Sequence, residues 1–439
     1  LKLPSLEGVW EEAAPARGGA DAESRMAASV NDGSSRMMGI KMVELDGSEG
    51  SEEDESMSTE GRQTCIAKDL VGVRKLVLAP LNLLLVFFPL GLASGIRGWG
   101  DTATFWLNFV ALVPIAGLMG TSTEAVAAHT GNLLGGLINA TFGNAIEMIV
   151  TWQALQAAAQ GNVDMVKVVQ GSLLGSILSN LLLVLGTAFL LGGVWHLEQG
   201  FNIKGATSNV SCLLLSSIAM MLPTMYSYAN GVEERHVLQA SRISACIITS
   251  MYVLFLVFQL KTHVHLFQGQ EEEEEDPEMS LPCSVAVLFV IVLAAIESSE
   301  LLVGALEGMT VEAGIPKTFV GVILLPIVGN AVEHTTAVSA AVKDKMDLAI
   351  GIAVGSSTQI ALFVVPFSVL LAWQMDVPMT LDFQMFDAGV MILSVLIVSA
   401  VVADGYSNWL EGAMLVATYV LCGVIFFMTP DPTMMRSEL

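Results

Sequence analysis

The sequence writes "GNAIE" at Gly143 to Glu147 and, 186 residues later, "GNAVE" at Gly329 to Glu333. Both phrases sit inside long apolar stretches. An ionised carboxylate there costs several kcal/mol even on lenient insertion scales, and membrane segments keep such groups chiefly for function. In each phrase the Glu follows Gly and Asn, two poor helix formers that loosen the hydrogen-bond ladder. A helix is expected to break at each pair, so that freed backbone carbonyls join the amide oxygens of Asn144 and Asn330 as ligands. Non-helical backbone at that depth requires a protein-lined or wet cavity.

Facing each break stands a stripe of small and polar residues: Gly171, Gly175, Ser176 and Asn180 in one apolar segment, Gly351, Gly355, Ser356 and Gln359 in another. Small residues let helices approach closely, and hydroxyl and amide groups offer oxygen without charge. Two carboxylates with neutral oxygens suit a hard cation. Ca2+ accepts oxygens in flexible geometry, whereas Mg2+ sheds its water reluctantly. Zn2+ would want His or Cys, which these stretches barely supply. One divalent cation neutralises the Glu pair, and so do two protons; the empty, ionised pair is the costly state at low dielectric. Cation and protons therefore compete for one place, and exposing that place to the two sides by turns yields antiport.

Positioning these groups takes a polytopic, all-α membrane protein. Of 439 residues, 53% are hydrophobic and only 14% charged, outside the range of soluble domains. The net charge of −24 does not contradict this, because residues 1–64 hold 14 acids and the run "EEEEEDPE" at Glu271 to Glu278 holds 7 of the 43. The first segment, rich in Gly, Ser, Ala and Glu, reads as a disordered acidic tail, with neither a secretory signal nor a transit peptide. The chain begins with Leu1, so targeting information is open. The five cysteines are scattered without metal or disulfide spacing and read as packing residues.

Windows long enough to cross a bilayer number eleven, near 76–96, 102–122, 128–155, 165–192, 206–228, 236–259, 281–304, 316–341, 347–373, 383–403 and 408–429. The third and eighth are interrupted. The acid run separates two halves that resemble each other, since "GGLINATFGNAIE" lines up with "GVILLPIVGNAVE", and the helices that follow line up as well. Five helices per half would make the second half enter with opposite polarity, an inverted repeat. The expected organisation is an acidic tail over 1–64, a first transmembrane helix over 65–98, five-helix repeats over 99–262 and 281–430, an acidic linker over 263–280 and a tail over 431–439. With the amino terminus in the cytosol, seven Lys or Arg fall on the cytosolic side against five opposite, which agrees with the positive-inside tendency only weakly.

Simpler roles account for several neighbours. Glu124, Glu297 and Glu300 divide between helix-end solvation and a cation approach path. His129 and His334 read as local hydrogen-bond partners or cytosol-facing groups ahead of a ligand role, and Gln170 as a packing residue ahead of a proton relay. "NAVEH" lacks the first imidazole of the zinc-peptidase H-x-x-E-H, because Asn330 stands there, so an enzyme reading falls away. "GSLLG" at Gly171 to Gly175 reads as tight helix packing.

The segments Gly135 to Glu147 and Gly321 to Pro366 closely resemble the two signature regions of the cation/proton exchanger family, within the calcium/cation antiporter superfamily. The likeness runs over residues 70 to 430 or so. It implies Ca2+/H+ antiport, in some members with Mn2+, usually at a vacuolar membrane. It makes Glu147 and Glu333 the exchanging, proton-coupling carboxylates, flanked by Gly143, Asn144, Gly329 and Asn330, with Ser176, Asn180, Ser356 and Gln359 lining the opposite helices. Sodium-coupled relatives keep a further acid in the helix after the second motif. Gln359 and Ile360 stand there, favouring protons over the alternatives of sodium coupling or a passive channel. No cofactor and no nucleic-acid partner is expected. The partners are the transported ions and the bilayer, and a homo-oligomer is open.

Overall fold

Gly, Pro and Asn punctuate the apolar runs, and the helices start and stop at them. The computed structural model describes residues 68–229, 231–266 and 279–429. The tail expected over 1–64, the acid run and the tail over 431–439 lie outside the described residues.

Helix α1 covers 68–77. Pro80 then opens α2 (Pro80–Arg97), which ends on Gly98 at φ 65°, a left-handed position that glycine occupies without a Cβ clash. Next come α3 (Asp101–Ala127), α4 (Gly131–Phe142), α5 (Ala145–Ala159), α6 (Met165–Trp195), α7 (Ile203–Ser227) and α8 (Glu234–Thr262). After the acid run follow α9 (Leu281–Ala313), α10 (Lys317–Gly329), α11 (Ala331–Val342), α12 (Met346–Gln374), α13 (Met385–Val401) and α14 (Trp409–Met428). Two asparagines cap helix starts. Asn202 accepts from the backbone N–H of Lys204 at 3.1 Å, and Asn408 from that of Leu410 at 3.1 Å. A short antiparallel pair, β1 (Gln199–Gly200) on β2 (Tyr406–Ser407), ties the two halves at one end.

Among the described residues, eight helices are long and apolar enough to cross a membrane, or nine if α10 and α11, bent by 56° at Asn330, count as one span. Two of the eleven windows fall short of that test. The window 128–155 breaks into α4 and α5, and α13 has only 17 residues.

The core follows from which helices are apolar all round. In α6 and α12, 67% and 61% of the apolar window is enclosed by protein, against 22% in α8 and 28% in α14, so the first two form the centre and the others a wall. Leu173, Leu174, Ile177 and Leu178 of α6 and Ala353, Val354, Ile360 and Val365 of α12 are completely enclosed. Both central helices relax into a π-helical turn at matching places, Ser179–Val184 and Ile360–Val364. Such bulges recur at functional sites.

Candidate cation site

Each Gly-Asn pair sits where a helix stops, as expected. Asn144, at φ −106° and ψ 22°, joins α4 to α5, and Asn330, at φ −94° and ψ 14°, joins α10 to α11. Glu147 and Glu333 are each the third residue of the helix that restarts, in the first turn, where orphan N–H groups and the helix dipole favour negative charge.

The two breaks meet. Glu147 Oε1 lies 2.7 Å from the point a Cβ on residue 329 would occupy, so the carboxylate from one half rests on the bare backbone of the other. Glu333 holds the matching place in the first turn of α11. Both side chains are half-buried. Asn144 Nδ2 donates to Gln359 Oε1 at 3.0 Å and to the Ala140 carbonyl at 3.3 Å. Asn330 Nδ2 donates to the Ser176 carbonyl at 3.1 Å. The asparagines thereby staple each broken helix to the central helix opposite.

Several oxygens remain unused. Glu333 Oε2, Asn330 Oδ1 and Asn180 Oδ1 are buried without a hydrogen-bond partner among the described residues. Orphaned buried acceptors are costly and call for an explanation, and a bound cation supplies one. A cavity of about 20 Å³, room for roughly one water-sized occupant, lies at the first break where Glu147 meets Gly329. Glu147, Ser172, Ser176 and Gly329 border it, with apolar walls from Leu112, Leu302 and Pro326. Among the described residues no three His, Cys, Asp or Glu side chains converge on one point. The polar groups that border the cavity, the Glu147 carboxylate and the hydroxyls of Ser172 and Ser176, are oxygen donors, a hard set.

Of the sequence-predicted residues, Glu147, Gly329 and Ser176 come together at the cavity, Asn330 reaches the Ser176 carbonyl, Asn144 joins Gln359, and Glu333 does not border the cavity. Ser356 is half-buried on α12, three residues before Gln359. Asn180 is fully enclosed in the π turn of α6, with neither amide atom partnered among the described residues. Gly143 is exposed at the end of α4. Glu124, Glu297 and Glu300 are exposed and do not border the cavity. His334 Nε2 pairs with Thr187 Oγ1 at 3.1 Å and His129 Nδ1 with the Ala125 carbonyl at 2.8 Å, so both are local partners as expected. Gln170 Nε2 donates to the Thr380 carbonyl at 2.8 Å. Ser172 was missed in the sequence, although it stands one turn before Ser176 and shares its face.

The two glycine stripes differ. A Cβ on Gly175 would overlap the Val322 carbonyl, and one on Gly171 would stand 3.3 Å from the Val322 side chain, so α6 and α10 touch backbone to backbone. Among the described residues, Gly351 and Gly355 of α12 have nothing within 4 Å of the same position. The expected close approach is therefore present on α6 and absent on α12. The physical reason is the placement of α4, whose Gly136 faces Leu260 of α8 instead, a Cβ there coming within 2.6 Å of that side chain.

The family described as "Sodium/calcium exchanger protein" matches residues 101–261 and 283–428, more than half the chain. The chain belongs to that family. Its members are transporters, not enzymes. Relatives of this exchanger include a "Ca(2+)/H(+) antiporter" of Synechocystis, 43% identical over 365 residues, 79% of this chain and 96% of that one. A "Vacuolar calcium ion transporter" of Schizosaccharomyces pombe is 41% identical, covering 87% of this chain and 92% of that one. A "Vacuolar cation/proton exchanger 2" of Oryza sativa is 38% identical, covering 86% and 88%. Among solved structures, native YfkE matches with a TM-score of 0.69 at 34% identity, over 80% of this chain and 100% of that one. An H+/Ca2+ exchanger CAX shares the fold alone, at a TM-score of 0.63 and 13% identity. The exchanger is an integral, multi-pass membrane protein.

Proposed function

We propose that this exchanger is a Ca2+/H+ antiporter in which Glu147 and Glu333 hold one Ca2+ or protons by turns. The observation that carries the reading is the meeting of the two breaks, with Glu147 of one half lying on Gly329 of the other, and with oxygens of Glu333, Asn330 and Asn180 buried without a partner among the described residues. The names of the relatives support the same cargo. In this reading Gly143 and Gly329 free the backbone, Asn144 and Asn330 hold the broken helices to their partners, and Ser176, Asn180, Ser356 and Gln359 supply neutral oxygen.

The finer architecture is part of the proposal. α2 is an added span, α3 to α8 and α9 to α14 are two inverted five-span repeats, with α4 plus α5 and α10 plus α11 each counting as one broken span, giving eleven. Matching π turns and matching breaks support this pairing. The unequal glycine stripes support alternating access. With α10 clamped on α6 and α4 off α12, one route to the site is shut and the other loosened; exchanging these two arrangements moves the cargo. Mn2+ is a second candidate cargo. A vacuolar membrane is the inferred location on two of the relatives, while the Synechocystis relative carries no vacuolar name.

The test is Ca2+ uptake into acid-loaded proteoliposomes. Uptake that needs the pH gradient, stops when an ionophore collapses it, and ignores sodium supports antiport with protons. Sodium-driven uptake, or conduction without any gradient, would replace it with the sodium-coupled or channel reading. Mn2+ added to the same assay competes if it shares the site.

A further inference from the structure

We propose that a groove between α8 and α12 binds an anionic phospholipid, its phosphate on Arg242 and its acyl chain on the apolar wall. Arg242 lies eight residues into α8, about 12 Å of helix rise from Glu234. Its guanidinium carbon stands 4.7 Å above the ring of Trp373, in the last turn of α12. Arg242 Nε is buried without a hydrogen-bond partner, and Arg242 makes no ion pair among the described residues. A cation inside a spanning helix is kept at a cost, and such groups ordinarily find a counter-charge. Here the protein provides a ring face and an empty place beside it.

That place is a groove of about 260 Å³ bordered by Arg242, Ile243, Cys246, Ile247, Ser250 and Trp373. Its wall points outward, Ile243 being 61% and Ile247 58% exposed, which in a bilayer is the direction of the lipid tails. Ser250 spends its hydroxyl hydrogen on the Cys246 carbonyl at 2.9 Å, so the wall keeps no spare side-chain O–H donor there. Trp prefers the depth where headgroup meets chain, and basic pockets between spans at that depth recognise anionic headgroups. A phosphate offers the charge-assisted acceptor that Arg242 lacks. A second copy of this chain, docking an apolar face, would leave the guanidinium unpaired, and a free anion would leave the isoleucine wall uncovered.

The test uses the full chain in mild non-ionic detergent and counts lipids retained in native mass spectrometry. The expected result is one phosphatidylglycerol held over phosphatidylcholine with a preference of about fivefold, the size of one favourable charge contact at a membrane surface. Arg242→Gln should lose that lipid, Arg242→Lys should keep it in part, and Ile247→Trp, which fills the groove and spares the charge, should also lose it. Equal retention of the two lipids, or undiminished phosphatidylglycerol in both Arg242→Gln and Ile247→Trp, overturns the proposal. So does displacement by inorganic phosphate alone, which marks a free-anion site, or a dimer that dissociates in Arg242→Gln, which marks a subunit contact.

Discussion

Glu147 Oε1 occupies space that any side chain on residue 329 would need, 2.7 Å from where a Cβ would stand. The glycine is therefore part of the carboxylate's setting, not merely a helix breaker. We predict that Gly329→Ala displaces the Glu147 carboxylate without removing a ligand. A misplacement of this order costs about 100-fold in rate. Gradient-driven Ca2+ uptake by Gly329→Ala at wild-type levels, with the folded protein confirmed, would show that the carboxylate does not work from this position.

The unequal glycine stripes give a paired prediction. A Cβ at Gly175 overlaps the Val322 carbonyl, and backbone cannot step aside as a flexible side chain can. Overpacking of this kind costs about 1–3 kcal/mol. Gly175→Ala should lower the unfolding temperature in detergent, while Gly355→Ala, with open space around it, should leave it near wild type. If both variants melt alike, α6 and α10 are not in the contact described.

Much of this was legible in the sequence because it rests on backbone chemistry. The Gly-Asn pairs announce breaks, and helices stop at both. Repetition of "GNAIE" as "GNAVE" announces that the breaks belong together. What sequence cannot write is conformational state, and so Gly171/Gly175 and Gly351/Gly355 look alike as letters while only the first pair is pressed against a neighbour. The π turns at Ser179–Val184 and Ile360–Val364 carry no local residue signal, being consequences of packing at the centre. Arg242 escaped notice for a statistical reason, since one charge in a long apolar window barely changes its mean. Ser172 was readable from its spacing to Ser176 alone.

His334 follows Glu333 directly, yet its ring nitrogen is engaged by Thr187 at 3.1 Å. We predict that His334→Gln keeps Ca2+ uptake within about threefold of wild type, the range of a change outside the ligand set. A loss as deep as that of Glu333→Gln would make the imidazole a ligand.

At the boundary of the spans, Asp69 of α1 accepts from the backbone N–H of Ser280 at 2.6 Å and from its hydroxyl at 2.7 Å, tying α1 to the start of α9. The backbone hydrogen bond first, then the hydroxyl, holds the Asp69 carboxyl below its usual range. Because that value is lowered in the folded state, the tie is complete above the ordinary carboxylate range, near pH 4, and is lost only as pH falls through the lowered value. Hydrogen exchange over 68–77, corrected for intrinsic rate, should thus be the same at pH 5 and pH 8 and should quicken in Asp69→Asn. Protection that falls between pH 8 and pH 5 would contradict this.

The central claim is that two carboxylates share one cargo place, and the direct measurement is Ca2+ uptake into acid-loaded proteoliposomes by wild type, Glu147→Gln and Glu333→Gln at matched folded protein. Gln keeps the shape and removes the exchangeable charge, so the account predicts uptake by wild type and none above background by either variant. Near-normal uptake by either one would contradict it.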